Sequence, residues 1–158
     1  MHKQDNFQIV GQNRRAGFDY EIHEKLEAGI SLAGTEVKSL RLGNVSLQEG
    51  FVNVERGELY LHGVTIPEYK FAGPFFNHEP RRSRKLLLKK REIAKIATLL
   101  QRKGSTVVPL TMYFNHKGII KLSIGLGTGK KTIDKRQTIK EREWSREKQR
   151  LQKNKWEG

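Results

Sequence analysis

Apolar and polar residues alternate from Tyr20 to Leu32. Tyr20, Ile22, Leu26, Ala28, Ile30 and Leu32 share one parity, broken only by Glu24, while Glu21, His23, Lys25, Glu27 and Ser31 hold the other. A period of two over this length predicts an extended, half-buried strand, bent at Gly29. In "GTEVKSLRLG" the period changes: Val37 and Leu40 fall on one face of a short helix that Thr35 caps and Gly43 stops. Val52 and Val54, an Arg-Gly turn, then Leu59 and Leu61 predict a hairpin. Residues 67–85, with Pro67, Gly73, Pro74 and Pro80, read as a long loop.

Leu86, Ile93, Ile96, Ala97 and Leu100 recur at helical spacing, so a helix is predicted over about 84–103, capped by Ser83 and ended by Gly104. The clearest hairpin follows. Val108, Leu110, Met112 and Phe114 alternate with Thr111 and Tyr113, and beyond a turn at 115–118 Ile120, Leu122, Ile124 and Leu126 alternate with Lys121 and Ser123. These elements predict a mainly β fold: a small antiparallel barrel of OB-like character with flanking helices, since closure leaves few exposed edges. After Leu126 apolar density collapses, which divides the chain into a barrel domain, 1–128, and a basic tail, 129–158.

Charge sharpens this picture. Among 158 residues, 31 Lys and Arg face 17 Asp and Glu, a net charge of +14, of which the tail carries +6. Such an excess repels itself, and a polyanionic partner relieves the repulsion. No apolar run approaches the roughly 18 residues that span a bilayer, the opening "MHKQDNFQIV" lacks the apolar segment of a signal peptide, and there is no cysteine for disulfides or thiolate metal sites. A cytoplasmic nucleic-acid binder is the class these features favour. The tail, poor in anything to bury, is expected to be disordered when free. From Ile139 to Lys155 it nevertheless has no Pro or Gly, enough for a helical rod of about 25 Å. Arg142, Arg146 and Arg150 repeat every fourth residue; stacked like charges oppose a free helix, and phosphates reverse that sign. Trp144 and Trp156 offer stacking faces to RNA.

Candidate chemistry is sparse. "GLGTGKK" is not a Walker loop, because Lys131 stands where Ser or Thr is needed and Ile124 where the first Gly is needed. It is either a plain exit from the last strand or a phosphate-contacting turn, and the two are compatible. Arg81, Arg82, Arg84 and Lys85 crowd the predicted helix start, where positive charge opposes the helix dipole; either the cluster is solvated or an anion rests on it. Arg14 and Arg15 add charge before the first strand, beside Asn13. The five histidines lack metal-ligand spacing and read as surface or turn residues. Asp19, Glu27 and Glu36 do not pair a general acid with a base locally, so no catalytic residue, metal or cofactor is expected.

Four blocks, "NRRAGFDYEI", "LEAGISLAGTEVKSLRLGN", "RKLLLKKREI" and "GKKTIDKRQTIKEREW", together resemble the SsrA-binding protein (small protein B, SmpB) family, from about Asn13 to the end. The resemblance implies an OB-like barrel and a non-enzymatic role. That role is to bind the tRNA-like part of transfer-messenger RNA and deliver it to stalled ribosomes, with EF-Tu reached through the aminoacylated RNA. The tail would occupy the empty message channel against small-subunit RNA. Family RNA contacts fall on Asn13, Glu27 and Leu87, and basic positions at the barrel's end on Lys130 and Lys131. Asp134, Lys135 and Arg136 match the decoding-centre element, and Lys140, Arg142, Trp144 and Lys148 match the tail. The chain departs from the family at Ile133, where histidine is common, and at Thr128, where lysine is frequent. Two rival classes stand beside this reading: a structural ribosomal protein with a basic extension, and an RNA-modifying or RNA-cleaving enzyme on an OB-like scaffold.

A peptide of residues 129–158 is expected to show an unfolded circular dichroism spectrum in buffer and to gain helix with RNA. Strong helicity in buffer alone would count against the charge-repulsion argument.

Overall fold

The long alternation becomes β2, Tyr20–Ile30, the strand about which the fold is organised. In this computed structural model, which describes residues 7–73, 75–130 and 140–150, β2 pairs antiparallel with β7, Ile120–Gly129, from Tyr20 to Gly29. β7 in turn pairs with β6, Ser105–Phe114, through the predicted hairpin. β1, Gln8–Gln12, lies on the outer side of β6. On the other side of β2 come β5, Arg84–Leu87, then β4, Glu58–His62, then β3, Phe51–Glu55. The predicted Arg-Gly turn joins β3 to β4, with both Arg56 (φ 52°) and Gly57 (φ 77°) in the left-handed region that suits a tight hairpin.

The result is one curled antiparallel sheet of seven strands, in the order β1-β6-β7-β2-β5-β4-β3. Its hydrogen-bonded ladder does not close, because β1 and β3 are its two edges, so the barrel is OB-like in curl and open in bonding. Closure is by packing. A Cβ on Gly50, just before β3, would meet the Pro109 ring of β6 at 2.6 Å, so the Gly50 backbone already lies against that ring across the seam. Ala28, Leu59, Leu61, Leu86, Met112, Leu122 and Ile124 fill the inside with no exposed surface. Besides a register shift in β1 between Ile9 and Gly11, two bulges interrupt the longer strands and set the curl. One lies between Ile22 and Glu24 of β2, the other between Pro109 and Thr111 of β6. The second explains why Leu110 leaves the expected inward set: the bulge shifts parity, so Val107 and Met112 both point inward. It also houses Pro109, which cannot donate to a ladder.

Two helical expectations need correction. Residues 84–87 are strand, and the helix α3 starts only at Lys90 and runs to Leu100. Its first turn is held by Glu92, whose carboxylate accepts from the Lys89 N–H at 3.1 Å; Ser83 instead meets His62 Nδ1 at 2.7 Å. The short helix α2, Gly34–Arg41, forms as expected, but Glu36 rather than Thr35 tends its start, accepting from the Ala33 N–H at 2.9 Å. A single turn, α1, Ala16–Asp19, leads into β2. Residues 140–150 are helical and exposed, within the stretch where a helical rod is predicted.

The cluster of arginines has an anion after all, and it is internal. Arg84 has no exposed surface; its Nε donates to Glu36, Nη1 to the Val64 carbonyl at 2.9 Å and Nη2 to the Pro80 carbonyl at 2.9 Å. Arg82 donates to the same Glu36 from Nε at 2.9 Å and from Nη2. Glu36, itself fully buried, thus ties α2 to β5 and to the loop that precedes it. Burial alone would push its carboxyl up, but the bonds from Arg82, the Ala33 N–H and Arg84 outweigh that and hold it below its ordinary 4.5. His78 is likewise no surface residue: it is buried, with Nε2 donating to the Ile66 carbonyl at 2.8 Å and Nδ1 at 3.0 Å from the Thr35 hydroxyl.

Glu36→Gln leaves Arg84 buried without its counter-charge, so it is expected to cost about 3–5 kcal/mol in urea unfolding at neutral pH. Because the folded carboxyl is the stronger acid, its contribution is full above the ordinary value of 4.5 and is lost as pH falls through the lowered one. The variant and the parent should therefore converge in stability at acid pH; a constant gap would refute the assignment.

Candidate nucleic-acid interface

The outer face of β2 presents Lys25 and Glu27 to solvent, as the polar parity requires; beyond the bulge the parity shifts, so Ile22 joins Lys25 on that face while His23 and Glu24 line a groove with α3. β5 is the neighbour of β2 near Gly29, and there the same alternation turns Arg84 and Leu86 inward and Leu87 outward. Leu87 is 53% exposed and lies over Gly29, where a Cβ would stand 3.2 Å from its own. A side chain at this position would press the leucine off the strand by a few tenths of an ångström. Glu27, Gly29, Lys85, Leu87, Lys89 and Lys121 line a groove of about 430 Å³. Glu27 and Leu87 are therefore brought together, a carboxylate acceptor beside an apolar contact, bordered by lysines and by Glu58 and Glu92.

Glu27 accepts a hydrogen bond from the Tyr113 hydroxyl. Tyr113 stands across the sheet on β6, paired with Lys121, and Phe7 packs edge-on against its ring at 5.4 Å. Burial, then the Glu27 bond and charge, push the Tyr113 hydroxyl up to about 12, so it remains a donor at neutral pH. A carboxylate offers about four acceptor sites. One Tyr113 bond orients Glu27 and leaves capacity for the amino and ribose hydroxyl donors of RNA.

Asn13 sits at the end of β1, where its N–H donates to the Leu110 carbonyl at 2.7 Å and its Nδ2 to the Pro109 carbonyl at 3.0 Å. It thereby clasps the β6 bulge, and its side-chain oxygen remains as an acceptor. Gln12, Asn13, Arg14, Gly17, Lys25 and Thr111 line a second groove of about 450 Å³, with Arg14 exposed. Lys25 in this groove and Glu27 in the first are successive outward positions of β2, about 7 Å apart along a strand. The two grooves are one continuous face. Lys130 borders it, its Nζ donating to the Gly17 carbonyl at 3.0 Å and its N–H to the Asp19 carbonyl.

Asn13, Arg14, Glu27, Leu87 and Lys130 thus share one side of the sheet, and Arg84 does not. Its guanidinium is spent on Glu36 and two carbonyls, so it offers nothing to a ligand and acts by orienting β5. Lys131, Ile133, Asp134, Lys135 and Arg136 lie outside the described residues. Lys140, Arg142, Trp144 and Lys148 lie on the exposed helical segment, with Lys148 Nζ 5.5 Å from the Trp144 ring centre. Tyr113, Lys25 and Lys121 escape the sequence reading as site residues. They occupy the polar parity of their strands, but only the register across β2, β7 and β6 gathers them. Among the described residues no group of three or more His, Asp or Glu could hold a metal ion, and no helix is long and apolar enough to cross a membrane.

Known proteins resemble this chain closely. The family model described as SmpB protein matches residues 10–154. An SsrA-binding protein of Chelativorans sp. (strain BNC1) is 54% identical over 153 residues, covering 97% of this chain and 98% of the relative. One from Maricaulis maris (strain MCS10) is 56% identical over 145 residues, covering 92% of each. A solved chain from work on tmRNA-SmpB and the center of the bacterial ribosome is 50% identical, with a TM-score of 0.66 over 78% of this chain and 85% of that one.

Tyr113 keeps its proton in the folded state to about 12, against an ordinary 10.0, so the fold binds more protons than the unfolded chain between those values. Stability should fall as pH rises through that window. Tyr113→Phe, which removes the titration, should flatten the fall; unchanged pH dependence of thermal unfolding would argue against the Tyr113–Glu27 bond.

Proposed function

The chain belongs to the SmpB protein family, and on that footing we propose that it binds the tRNA-like part of SsrA transfer-messenger RNA and delivers it to stalled ribosomes. The family is one of RNA-binding proteins, not of enzymes, and the protein rescues ribosomes by trans-translation rather than by any chemistry of its own. It works in the cytoplasm, and EF-Tu is met through the aminoacylated RNA.

The observation that carries the RNA reading is the outer sheet face, where the family contact positions Asn13, Glu27 and Leu87 converge with Arg14 and Lys130. Glu27, aimed by Tyr113, accepts hydrogen bonds from base edges or 2′-hydroxyls, and Leu87 receives the face of an unstacked base. Asn13 holds the β6 bulge while presenting its amide oxygen. Arg14, Lys25, Lys121 and Lys130 meet phosphates and set the register of the RNA without reading it. Binding of this kind is expected to weaken steeply with salt as neutralised phosphates regain counterions.

The tail has a separate task. Its residues Lys131, Asp134, Lys135, Arg136, Lys140, Arg142, Trp144 and Lys148, basic apart from the aspartate and the tryptophan, are suited to the vacated message channel near the decoding centre. An exposed helix with arginines at every fourth position, 142, 146 and 150, is a shape an RNA-walled channel accepts and free solution penalises. Ile133 brings apolar contact in place of the family's imidazole, and Thr128 brings one charge fewer than the family's lysine.

Because β7 continues to Gly129 and Lys130 is bonded to Asp19 and Gly17, the chain should be cut after Lys130 to separate the two tasks. That shortened chain is expected to keep most of its affinity for SsrA RNA and to lose peptide tagging on stalled ribosomes. In the full chain, Glu27→Ala or Leu87→Ala should lower RNA affinity about tenfold, the scale of losing one base contact. Loss of RNA binding on tail removal, with no effect of the two sheet substitutions, would overturn the assignment.

A further inference from the structure

The loop between β4 and β5 carries three phenylalanines with little to pack against: Phe71 is 73% exposed, Phe75 90% and Phe76 81%. Rings so bare are costly for a fold that buries apolar side chains elsewhere, and here they are grouped on one short segment. The segment is held firmly at its base. Asn77 Oδ1 accepts from the Tyr69 N–H at 3.0 Å and its Nδ2 donates to the Tyr69 carbonyl at 2.9 Å, an amide acting as a neighbouring strand would. The next residue is the buried His78, and Ile66 donates its N–H to the Pro80 carbonyl at 2.9 Å. The exposed rings therefore lie beyond a firmly anchored base.

Cations interleave with these rings. Lys38 Nζ stands 5.8 Å from the Tyr69 ring centre, and Lys70 Nζ 5.8 Å from that of Phe71, which meets Tyr69 edge-on at 5.5 Å. The groove that holds Leu87 is elsewhere. The loop packs over the side of β5 to which Arg84 points, since Arg84 bonds the Val64 and Pro80 carbonyls, whereas Leu87 points to the opposite side.

We propose that Phe71, Phe75 and Phe76 form a second RNA contact, stacking on unpaired bases while Lys38 and Lys70 meet the flanking phosphates. The inference rests on the RNA-binding reading above and adds a surface on the other side of β5. Aromatic rings with ammonium groups beside them, on a chain of net charge +14, match the alternating bases and phosphates of single-stranded RNA. A hydrophobic protein groove would have no use for the lysines. The unpaired bases belong either to SsrA RNA or to ribosomal RNA, and the test separates the two.

The full chain is bound to SsrA RNA alone and, separately, to small ribosomal subunits, then irradiated with ultraviolet light and mapped by mass spectrometry. A nucleotide adduct on the peptide bearing Phe71, Phe75 and Phe76 is expected in at least one arm. In that arm the triple variant Phe71→Ala, Phe75→Ala, Phe76→Ala should bind about tenfold or more weakly, while Phe75→Trp, which keeps a stacking ring, should bind as the parent does. These side chains are exposed, so thermal unfolding should be unaltered. Unchanged affinity in both arms would overturn the proposal, as would weaker subunit binding without a nucleotide adduct, which marks a protein partner. Leu87→Ala serves as the control: if it loses RNA while the triple variant does not, only the loop assignment fails. If neither variant loses RNA, the sheet-face reading fails with it.

Discussion

A fully buried carboxylate gripping two guanidinium groups decides which way β5 faces. Glu36 on α2 takes Arg84 inward, and strand alternation then sends Leu86 to the core and Leu87 to solvent. A slip of one residue would bury Leu87 and expose Leu86. The ion pair is a weak source of net stability, since desolvation consumes much of its attraction. Its value is register: no apolar contact in a core of interchangeable leucines specifies one arrangement of "RKLLL" so strictly. The same arginine bonds the carbonyls of Val64 and Pro80, so the long loop before β5 is drawn over the core by the same interaction.

The outer face depends on two further irregularities. Bulges in β2 and β6 curl the sheet, and Asn13 clasps the second by bonding the carbonyls on either side of it. A residue that holds a bulge and lines a groove serves both the fold and the surface, so substituting it would affect stability and binding together. Glu27 and Tyr113 divide those roles more cleanly. The tyrosine orients and the carboxylate is left with acceptor capacity.

Much of the fold was legible because its strands alternate over long stretches on either side of their bulges. β2, the β3–β4 hairpin and the β6–β7 hairpin all follow from period-two patterns with turn residues between them. The misread segment, 84–89, has three successive leucines, which satisfy helical spacing with Ile93 and Ile96 as well as they satisfy a short strand. Its true state is set by Glu36, 48 residues earlier, and by pairing with Gly29 and Ile30, neither of which leaves a local mark. The same nonlocality hid the burial of Arg84 and His78. The pattern placed Glu27 on a polar face, but only the family resemblance marked it, with Asn13 and Leu87, as an RNA contact. The structure adds why these three share a surface.

The central claim is that β5 is locked with Leu87 outward, as part of the surface that meets RNA. Hydroxyl-radical footprinting of the full chain, read by mass spectrometry at single residues, tests it directly. Leu87 should be oxidised in the free protein and protected by saturating SsrA RNA, with Leu86 silent throughout. Equal oxidation of Leu87 with and without RNA, or reactivity at Leu86 in the free chain, would contradict the account.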